Sequence, residues 1–422
     1  MALNPQRTRR AIEFAALLVC IVVASAFAWL AARNYLSLRA SSSRNGQGLR
    51  RAISLEPQRA TYHDLLGRDL MLQSQDPSPA VAEFRKAVAL NPYESSYWLD
   101  LAEAYYSMGA KSDEDHAIRQ AIAVDPTTPS VAWNTANFLL LQGNLPAALS
   151  QFSVVLQHSP ERVPAALDTL WRAVHDVNAI EAILPPDPDV YLQFIKVLIV
   201  QNDAKDAQTV WSRLFELNRP YDFRDALFYV DYLLNQREVS QATGVWKQLV
   251  SRSPELAKYS EQGNSITDGD FSEEILNGGF DWHYAARRGA DIALDSNNSH
   301  SAGRSLAVTY SGSGADSGLF QDVPVRPNTW YTLSAWVKSD DLQTANGPEL
   351  VAFDPDNEDV RAATEPTSGT TAWHSVHTNF LTGNNSKLLR VHITRDPDTT
   401  QIQGRFWITE LSLKEMPSLP KQ

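Results

Sequence analysis

The stretch RQAIAVDP, at residues 119–126, is the third version of one phrase in this chain. The sequence reads RRAISLEP at residues 50–57 and RKAVALNP at residues 85–92. The prolines that close the three phrases are 35 and 34 residues apart, and Pro160 follows after another 34. A constant period of this length is typical of chains built from repeated helical hairpins. The phrase therefore indicates how the chain is assembled.

The residues between two closing prolines fit a helix, a turn and a second helix. Before Pro126, large and small apolar residues recur at helical spacing on both sides of the turn SMGAKS, residues 107–112. These residues are Trp98, Leu101, Ala102, Tyr105, Ile118 and Ala121. Small residues allow two helices to approach, and large ones fill the remaining space. The closing proline lacks an amide hydrogen and ends the second helix.

This pattern resembles the tetratricopeptide repeat (TPR) family over about residues 43–260. Two units depart from the family pattern, with Ala102 and Lys196 at the position where it has glycine, and the interval from Pro160 to Pro186 is shortened to 26 residues. The resemblance implies an all-α solenoid whose groove, lined by the first helix of each hairpin, binds a peptide or a partner protein. Helical phase places these candidates in the groove: Glu103, Tyr106, Trp133, Asn137, Leu140 and Asp231. The alternative is that the aromatic and leucine candidates only pack between hairpins.

An apolar run precedes the repeats. Residues 14–32 read FAALLVCIVVASAFAWLAA, without a charge. As a helix this run would be about 29 Å long, which matches a bilayer core of about 30 Å. We expect a transmembrane helix at residues 11–33 after a cytoplasmic tail at residues 1–10. The alternative is a cleaved signal peptide ending at SAFA, but the run is longer than usual for one.

Charge favours, without settling, one orientation of this helix. Three arginines precede the run and favour a cytoplasmic amino end, but three more follow it within the window that the positive-inside rule counts. The favoured interpretation is a single-pass inner-membrane protein with its soluble domains on the periplasmic side. Membrane is thus one expected partner of the chain.

Composition excludes several classes of function. The 422 residues carry a formal net charge of -12, so there is no basic excess with which to bind nucleic acid. Cys20 is the only cysteine, which excludes an intramolecular disulfide, a cysteine zinc cage and a CxxC redox motif. The sequence also contains no HExxH, GxSxG, phosphate-binding loop or GxGxxG motif. These absences favour a binding protein over an enzyme.

The amino-acid composition of the chain changes near residue 266. Apolar and polar residues alternate in runs such as TWYTLSAWVKS, residues 329–339, between clusters of Gly, Asn, Asp and Ser. In that run Leu333 and Val337 share one face, and Trp336 lies on the other. We expect eight or nine strands in an antiparallel jelly-roll sandwich at residues 275–416, after a linker at 261–274 and before a tail at 417–422.

The sandwich resembles carbohydrate-binding modules of galactose-binding-like architecture. The similarity rests on ILNGGFDW at residues 275–282, on SLAVTY, LFQDVPVRPNTWYTLSAWVKS and AWHSV further along, and on the closing FWITELSL. It implies sugar recognition by aromatic rings, for which the candidates are Trp336, Trp407, His392 and Trp282. The alternative is that these aromatic side chains serve the core or cover an edge.

The same resemblance implies a structural calcium ion between the opening NGGF segment and the last strand. The oxygen ligands would be Asp281 and Glu410, although Thr409 and Glu410 stand where the family has an aspartate. No other cofactor is expected.

The fold class expected for the whole chain is an N-terminal transmembrane helix, an all-α TPR solenoid and an all-β jelly-roll sandwich. The favoured function is a non-enzymatic scaffold of the bacterial envelope that binds a protein partner in its groove and glycan on its sandwich, within polysaccharide assembly or export. One alternative is a protein-only assembly factor whose sandwich is structural. Another is an unrecognised glycan-active enzyme.

Overall fold

The computed structural model describes residues 5–43, 45–260, 263–301, 303–313 and 315–416. The expected tail at residues 417–422 and the first four residues of the expected cytoplasmic tail lie outside the described residues. The chain separates into two compact units, Met1–Gln193 and Phe194–Gln422. Helices come first and strands follow, as the sequence predicted.

The first helix, α1, runs from Pro5 to Ser41. Its part Glu13–Ser41 is long and apolar enough to cross a membrane, by length and composition, and the residues of its most apolar 18-residue window are not buried against the rest of the chain. The helix continues past the expected end at residue 33 and forms a hairpin with the next helix, α2, at Gly46–Leu55. Near its carboxyl end, Ser37 Oγ lies 3.0 Å from the hydroxyl of Tyr62. The candidate span is thus continuous with the first hairpin.

The remaining helices follow the predicted period. They are α3 (Ala60–Gln73), α4 (Ser78–Leu90), α5 (Ser95–Met108), α6 (Lys111–Val124), α7 (Pro129–Leu141), α8 (Leu145–His158), α9 (Val163–Val174), α10 (Val177–Glu181), α11 (Pro188–Val200), α12 (Ala204–Glu216), α13 (Leu227–Asn235), α14 (Val239–Arg252) and α15 (Pro254–Ala257). The five-residue α10 accounts for the shortened interval after Pro160. The boundary between the two units falls within α11.

The repeated phrase ends the second helix of a hairpin. In α6, Ala121 is fully buried and accepts the amide of Asp125, after which Pro126 cannot continue the helix. Close approach inside a hairpin is clearest at Gly67 of α3. A Cβ atom there would lie 2.6 Å from the ring of Phe84 on α4. Glycine is therefore required for α3 and α4 to pack as they do.

Ten strands form the sandwich in the described part of the chain. They are β1 (His283–Tyr284), β2 (Ala290–Asp295), β3 (Ser305–Ser313), β4 (Leu319–Pro324), β5 (Trp330–Thr344), β6 (Glu349–Asp354), β7 (Asn357–Ala363), β8 (Gly369–Leu381), β9 (Leu388–Thr394) and β10 (Gln401–Glu415). One antiparallel sheet has the order β1-β4-β9-β6-β7 and the other β2-β3-β10-β5-β8. The apolar faces of both sheets contribute to one core, to which Leu333, Val391 and Phe406 belong.

The segment expected to be a linker contributes to this core. Ile266 and Phe271 are buried in it, with 1% and 0% of their surfaces exposed. The backbone pairs with β10, since Ser265 N donates to Leu413 O and Leu411 N donates to Gly269 O. The sandwich of the structure thus begins about ten residues earlier than residue 275, because apolar side chains in a turn-rich stretch fill its core.

The last hairpin of the second unit, α13 with α14, contacts the opening of the sandwich. Asp231 Oδ1 accepts the amide of Gly279 at 2.6 Å, and the ring of Trp246 meets Phe280 edge-on at 5.8 Å. Gly279 has φ 65°, and a Cβ there would lie 2.5 Å from Trp246. Both the backbone conformation and the close packing therefore require glycine at this position.

Candidate functional site

The candidate site is built on the outer face of the second sheet. Along β5, Tyr331, Leu333, Ala335 and Val337 are buried, while the residues between them are partly exposed. This alternation places Trp336 on the outer face, opposite Ser375 of β8 and Thr409 of β10. The backbone of β10 bulges between Thr409 and Ser412. A half-exposed tryptophan thus lies on a sheet whose neighbouring positions are short and polar.

The ring of His300 stacks on Trp336. The two ring centroids are 3.6 Å apart with planes inclined by 14°, and His300 also meets Trp373 edge-on at 6.0 Å. His300 Nδ1 lies 2.9 Å from Glu410 Oε1, and Glu410 sits in the β10 bulge with φ 52°. The imidazole therefore covers part of the Trp336 ring and is held there by a carboxylate.

The loop that carries His300 is tied to the same sheet. Asp295 accepts the indole N–H of Trp407 at 2.9 Å, and Lys338 Nζ donates to Asn298 Oδ1 at 3.0 Å. Hydrogen bonds to Asp295, chiefly from Asn298 and Trp407, lower the pKa of its carboxyl against the opposing effect of burial. These contacts hold the loop on the amino-terminal side of the histidine.

Beside Trp336 lies a groove of about 650 Å³ that we call the Trp336 groove. Hydroxyl, carboxylate and ammonium groups line it around the indole. They come from β5, β8 and β10, from the opening loop of the sandwich and from the segment after α15: Trp336, Ser334, Ser375, Glu410, Ser412, Lys414, Asp268, Asp270, Ser272, Ser301 and Lys258. An aromatic ring surrounded by donors and acceptors suits a ligand with apolar C–H faces and many hydroxyls.

Asp268 is the most perturbed carboxyl in the groove. Burial raises its pKa to about 7, although hydrogen bonds from Ser272 and Glu273 to Oδ1 oppose the shift. Its Oδ2 is buried and has no hydrogen-bond partner among the residues that the structure describes. Near neutral pH this carboxyl can therefore donate or accept a hydrogen bond.

The other three aromatic candidates do not join Trp336. Trp282 is fully buried, packs on Phe271 at 5.4 Å and donates its indole N–H to Asp268 O. Trp407 is only 4% exposed, because the ammonium of Lys338 lies 5.1 Å from its ring centroid. A ring without an exposed face cannot stack on a sugar, so the structure contradicts the expected role of both tryptophans.

His392 lies elsewhere in the sandwich. It is on β9 of the first sheet, opposite Phe320 of β4, and its Nε2 is 3.2 Å from Asp316 Oδ2. Trp336 is on the second sheet, and the shared core lies between the two sheets. One sugar cannot contact both residues, so His392 and Trp336 cannot belong to the same glycan-binding site.

The two predicted calcium ligands contact different residues. Asp281 is fully buried; its Oδ2 accepts the amide of Leu276, and burial raises the pKa of its carboxyl to about 8. Glu410 instead contacts His300. Within the described residues, no group of three or more His, Cys, Asp or Glu side chains could hold a metal ion. Calcium needs about six to eight oxygen ligands, so this donor set does not fit it.

The candidates for the TPR groove fall into both units. On α5, Glu103 and Tyr106 are exposed. On α7, the ring of Trp133 meets Phe152 of α8 edge-on at 6.0 Å, and Asn137 Nδ2 donates to Trp133 O. Leu140, also on α7, packs against the helical core. Trp133 thus packs within its own hairpin, and Leu140 contributes to the helical core.

Asp231 belongs to the second unit. As described above, its carboxylate accepts a backbone amide from the opening of the sandwich, so it serves that contact. Burial raises the pKa of its carboxyl, although the hydrogen bond from Gly279 acts in the opposite direction. The structure therefore gives Asp231 a bonding partner outside the repeats.

Ser334 and His300 were not among the predicted site residues, and Glu410 was predicted only as a calcium ligand. The alternation that places Trp336 outward also places Ser334 outward and could have identified it. His300 and Glu410 are 110 residues apart, and neither lies in a pattern that points to the other. Only the fold brings them together on one tryptophan.

Parts of the chain are similar to solved structures. The chain is similar to Pseudomonas aeruginosa PilF at 19% identity, over 46% of this chain and 92% of that one, with a TM-score of 0.26. It is similar to PilW, a type IV pilus biogenesis factor, at 19% identity over 48% and 95% of the two chains, with a TM-score of 0.27. A family 16 carbohydrate-binding module is 20% identical over 36% of this chain and 99% of the module, with a TM-score of 0.27.

No curated protein matches the chain. A family model does match residues 263–400, which include the opening loop and strands β1 to β9. That model is described as a carbohydrate binding domain. The chain thus combines tandem helical hairpins with a sandwich that matches a carbohydrate binding domain model over residues 263–400.

Proposed function

We propose that this chain is a membrane-anchored, non-enzymatic scaffold that binds glycan in the Trp336 groove and a protein partner through its helical repeats. The observation that carries the glycan assignment is the groove itself. It is polar, about 650 Å³ in volume, and contains the one predicted sugar-stacking tryptophan that keeps an exposed surface. The match to a carbohydrate binding domain supports the same ligand class.

The protein-binding role is supported by side chains on α5 that the fold leaves free of packing. Tyr106 is 48% exposed and Met108 46% exposed. Exposed aromatic and thioether side chains on a helix are common at protein-binding surfaces. A chemical crosslinker at residue 106 should therefore capture the partner, whereas one at Trp133 should not, because that ring packs on Phe152.

The cellular setting follows from combining three parts. One helix has the length and composition of a membrane span, and the two folds that follow are both of binding type. A protein of this layout can hold an enzyme or an export component next to a polysaccharide at a membrane. We therefore place the chain in the bacterial envelope, with its soluble domains outside the cytoplasm, in polysaccharide assembly or export.

The full chain in detergent, applied to a panel of immobilised polysaccharides, tests the proposal. Retention on at least one polysaccharide, without release of new reducing ends, is the expected result. Retention on none would remove the glycan part. Release of reducing ends would instead favour an enzyme that uses the groove carboxylates Asp268, Asp270 or Glu410.

One observation favours the alternative of a purely structural sandwich. The His300 ring already stacks on Trp336 at 3.6 Å, the distance a sugar ring would need. Under this alternative the stack is permanent and the surface binds protein or nothing. Removing the imidazole distinguishes a glycan-binding sandwich from a purely structural one.

A further inference from the structure

A second cavity lies beside α1 at the carboxyl end of its apolar run. Its residues are far in the sequence from those of the Trp336 groove. Apolar residues end at Ala32, and Arg33 follows. The loop Glu56–Arg59, between α2 and α3, lies beside α1 at this level. Helix α1 and this loop line an open cavity of about 690 Å³, which we call the arginine pocket. Its lining residues are Phe27, Leu30, Ala31, Arg33, Asn34, Glu56, Pro57, Gln58 and Arg59.

The arginine pocket is apolar at one end and polar at the other. Phe27 is 71% exposed and Leu30 46% exposed on the side toward the apolar run. Arg33 and Asn34 follow Leu30 by one turn of α1, or about 5.4 Å along the helix axis. If the apolar run spans the bilayer, the first end lies in hydrocarbon and the second among the lipid headgroups.

Arg33 has the chemistry of an incomplete anion site. Its guanidinium lies 5.0 Å from the ring centroid of Trp29, which is 60% exposed. Its Nε is buried and has no hydrogen-bond partner among the described residues. Leaving a buried N–H of a charged group without an acceptor is unfavourable. Arg33 lines the pocket, and arginine suits phosphate because its guanidinium can donate two parallel hydrogen bonds.

Arg59 supplies a second, already oriented guanidinium. Its Nη1 donates to Asn34 Oδ1 at 3.0 Å and to Glu56 Oε2 at 2.8 Å, and 41% of its side chain remains exposed. The Glu56 carboxylate neutralises one of the two arginine charges. The pocket therefore keeps one net positive charge, which matches a single phosphodiester.

We propose that the arginine pocket binds the headgroup of an anionic phospholipid, with Arg33 on the phosphate and the acyl chains along Phe27 and Leu30. The site rests on the proposed membrane span. It adds a function to that span, because lipid bound here would join α1 to the loop before α3. Trp29 beside Arg33 is in keeping with the aromatic residues that mark membrane interfaces.

The test is native mass spectrometry of the full chain, released from nanodiscs that contain equal amounts of phosphatidylglycerol and phosphatidylcholine. We expect about fivefold or greater retention of phosphatidylglycerol, since a coupling of about 1 kcal/mol gives this ratio. Arg33→Gln together with Arg59→Gln should abolish the preference. Arg33→Lys should keep part of it, because a lysine retains the charge without the paired donors. Arg39→Gln, on the same helix outside the pocket, is the matched control and should behave like the unchanged protein.

Equal retention of both lipids by the unchanged protein, or loss of the preference in Arg39→Gln alone, would overturn the proposal. Carbonate extraction of the same membranes measures the span separately. A chain that resists extraction but shows no lipid preference contradicts only the pocket. A chain that is extracted contradicts the membrane anchor as well. If the double glutamine variant fails to fold, the Arg33→Lys variant is used instead. Equal retention of phosphatidylglycerol and phosphatidylcholine by this variant would contradict the proposal.

Discussion

A single stacked pair, His300 on Trp336, determines how the candidate site can work. The imidazole occupies one face of the indole and is held by Glu410 at 2.9 Å. A sugar that stacks on that face must displace the imidazole. The histidine therefore competes with the ligand for the ring.

Replacing His300 by alanine should strengthen glycan binding by the full chain several-fold, because no contact need then be broken before stacking. Isothermal titration with a retained polysaccharide measures the change. Glu410→Gln should act in the same direction more weakly, since it removes only the charge that holds the ring. Weaker binding by His300→Ala would show that the imidazole is part of the binding surface and would contradict the competition.

Buried carboxyls predict how stability depends on pH. Burial raises the pKa of Asp281 to about 8 and that of Asp268 to about 7, both above the value of about 3.8 in an unfolded chain. The folded state thus binds more protons than the unfolded state between about pH 4 and 8. The stability they contribute is fully present below pH 4 and is lost as pH rises through about 7 to 8.

The melting temperature of the sandwich should therefore fall by several degrees between pH 5 and pH 8, measured by near-ultraviolet circular dichroism. Asp281→Asn should make this fall shallower, because an amide stays neutral over the whole range. A melting temperature that rises over the same interval would contradict the assigned protonation of these carboxyls.

At the residue scale, the sequence predicted what alternation can predict. Period two along TWYTLSAWVKS placed Trp336 outside the core, and the structure has it there. The same method could not exclude Trp282 or Trp407, because their burial depends on Phe271 and Lys338, which lie elsewhere in the sequence. Contacts between segments that are distant in the sequence therefore decide which tryptophan ring stays exposed.

At the scale of the helices, two glycines test the packing of the hairpins, because one is in a crowded position and the other in an open one. A Cβ at Gly67 would meet Phe84 at 2.6 Å, whereas a Cβ at Gly244 of α14 would have nothing within 4 Å. Gly67→Ala should destabilise the chain by about 1–3 kcal/mol through overpacking. Gly244→Ala should stabilise it by about 0.5–1 kcal/mol, because alanine favours the helix.

Urea unfolding followed by far-ultraviolet circular dichroism gives both values, and each variant is the control for the other. Stabilisation by Gly67→Ala would show that α3 and α4 are not as close as described. A loss of stability in Gly244→Ala would show that this position is packed rather than open.

The proline period predicted the helices well because each hairpin carries its own pattern of small and large residues. The same period predicted a shortened hairpin, which is present as α10. It could not show that α1 serves both as candidate span and as the first helix of a hairpin, because the apolar run obscures the repeat pattern there. The sequence predicted eight or nine strands, whereas the described residues form ten, and no predicted run covers β1, β2 or β7.

For the molecule as a whole, contacts between distant segments group the last helices with the sandwich. The second unit begins at Phe194 and contains the last helices together with the sandwich. Composition could mark where helices stop, but not that Ile266 and Phe271 enter the sandwich core or that Trp246 packs on Phe280. Those contacts join segments whose local sequence gives no sign of one another.

A fragment of residues 188–422, which keeps α11 whole, should therefore fold cooperatively, whereas one of residues 275–422 should not, because it lacks two buried core side chains. Thermal unfolding of both fragments by circular dichroism measures this. A cooperative transition of equal midpoint in the shorter fragment would show that the earlier segment is dispensable.

The central claim is that the Trp336 groove binds glycan, and the most direct test is isothermal titration of the full chain in detergent with a polysaccharide that it retains. Trp336→Ala is compared with Trp330→Ala, whose ring is 40% exposed on the same strand but does not line the groove. Loss of an aromatic group at the centre of a binding site removes about 2 kcal/mol or more. We predict that Trp336→Ala weakens binding by about tenfold or more while Trp330→Ala leaves it unchanged. Equal affinity of both variants and the unchanged chain would contradict the account.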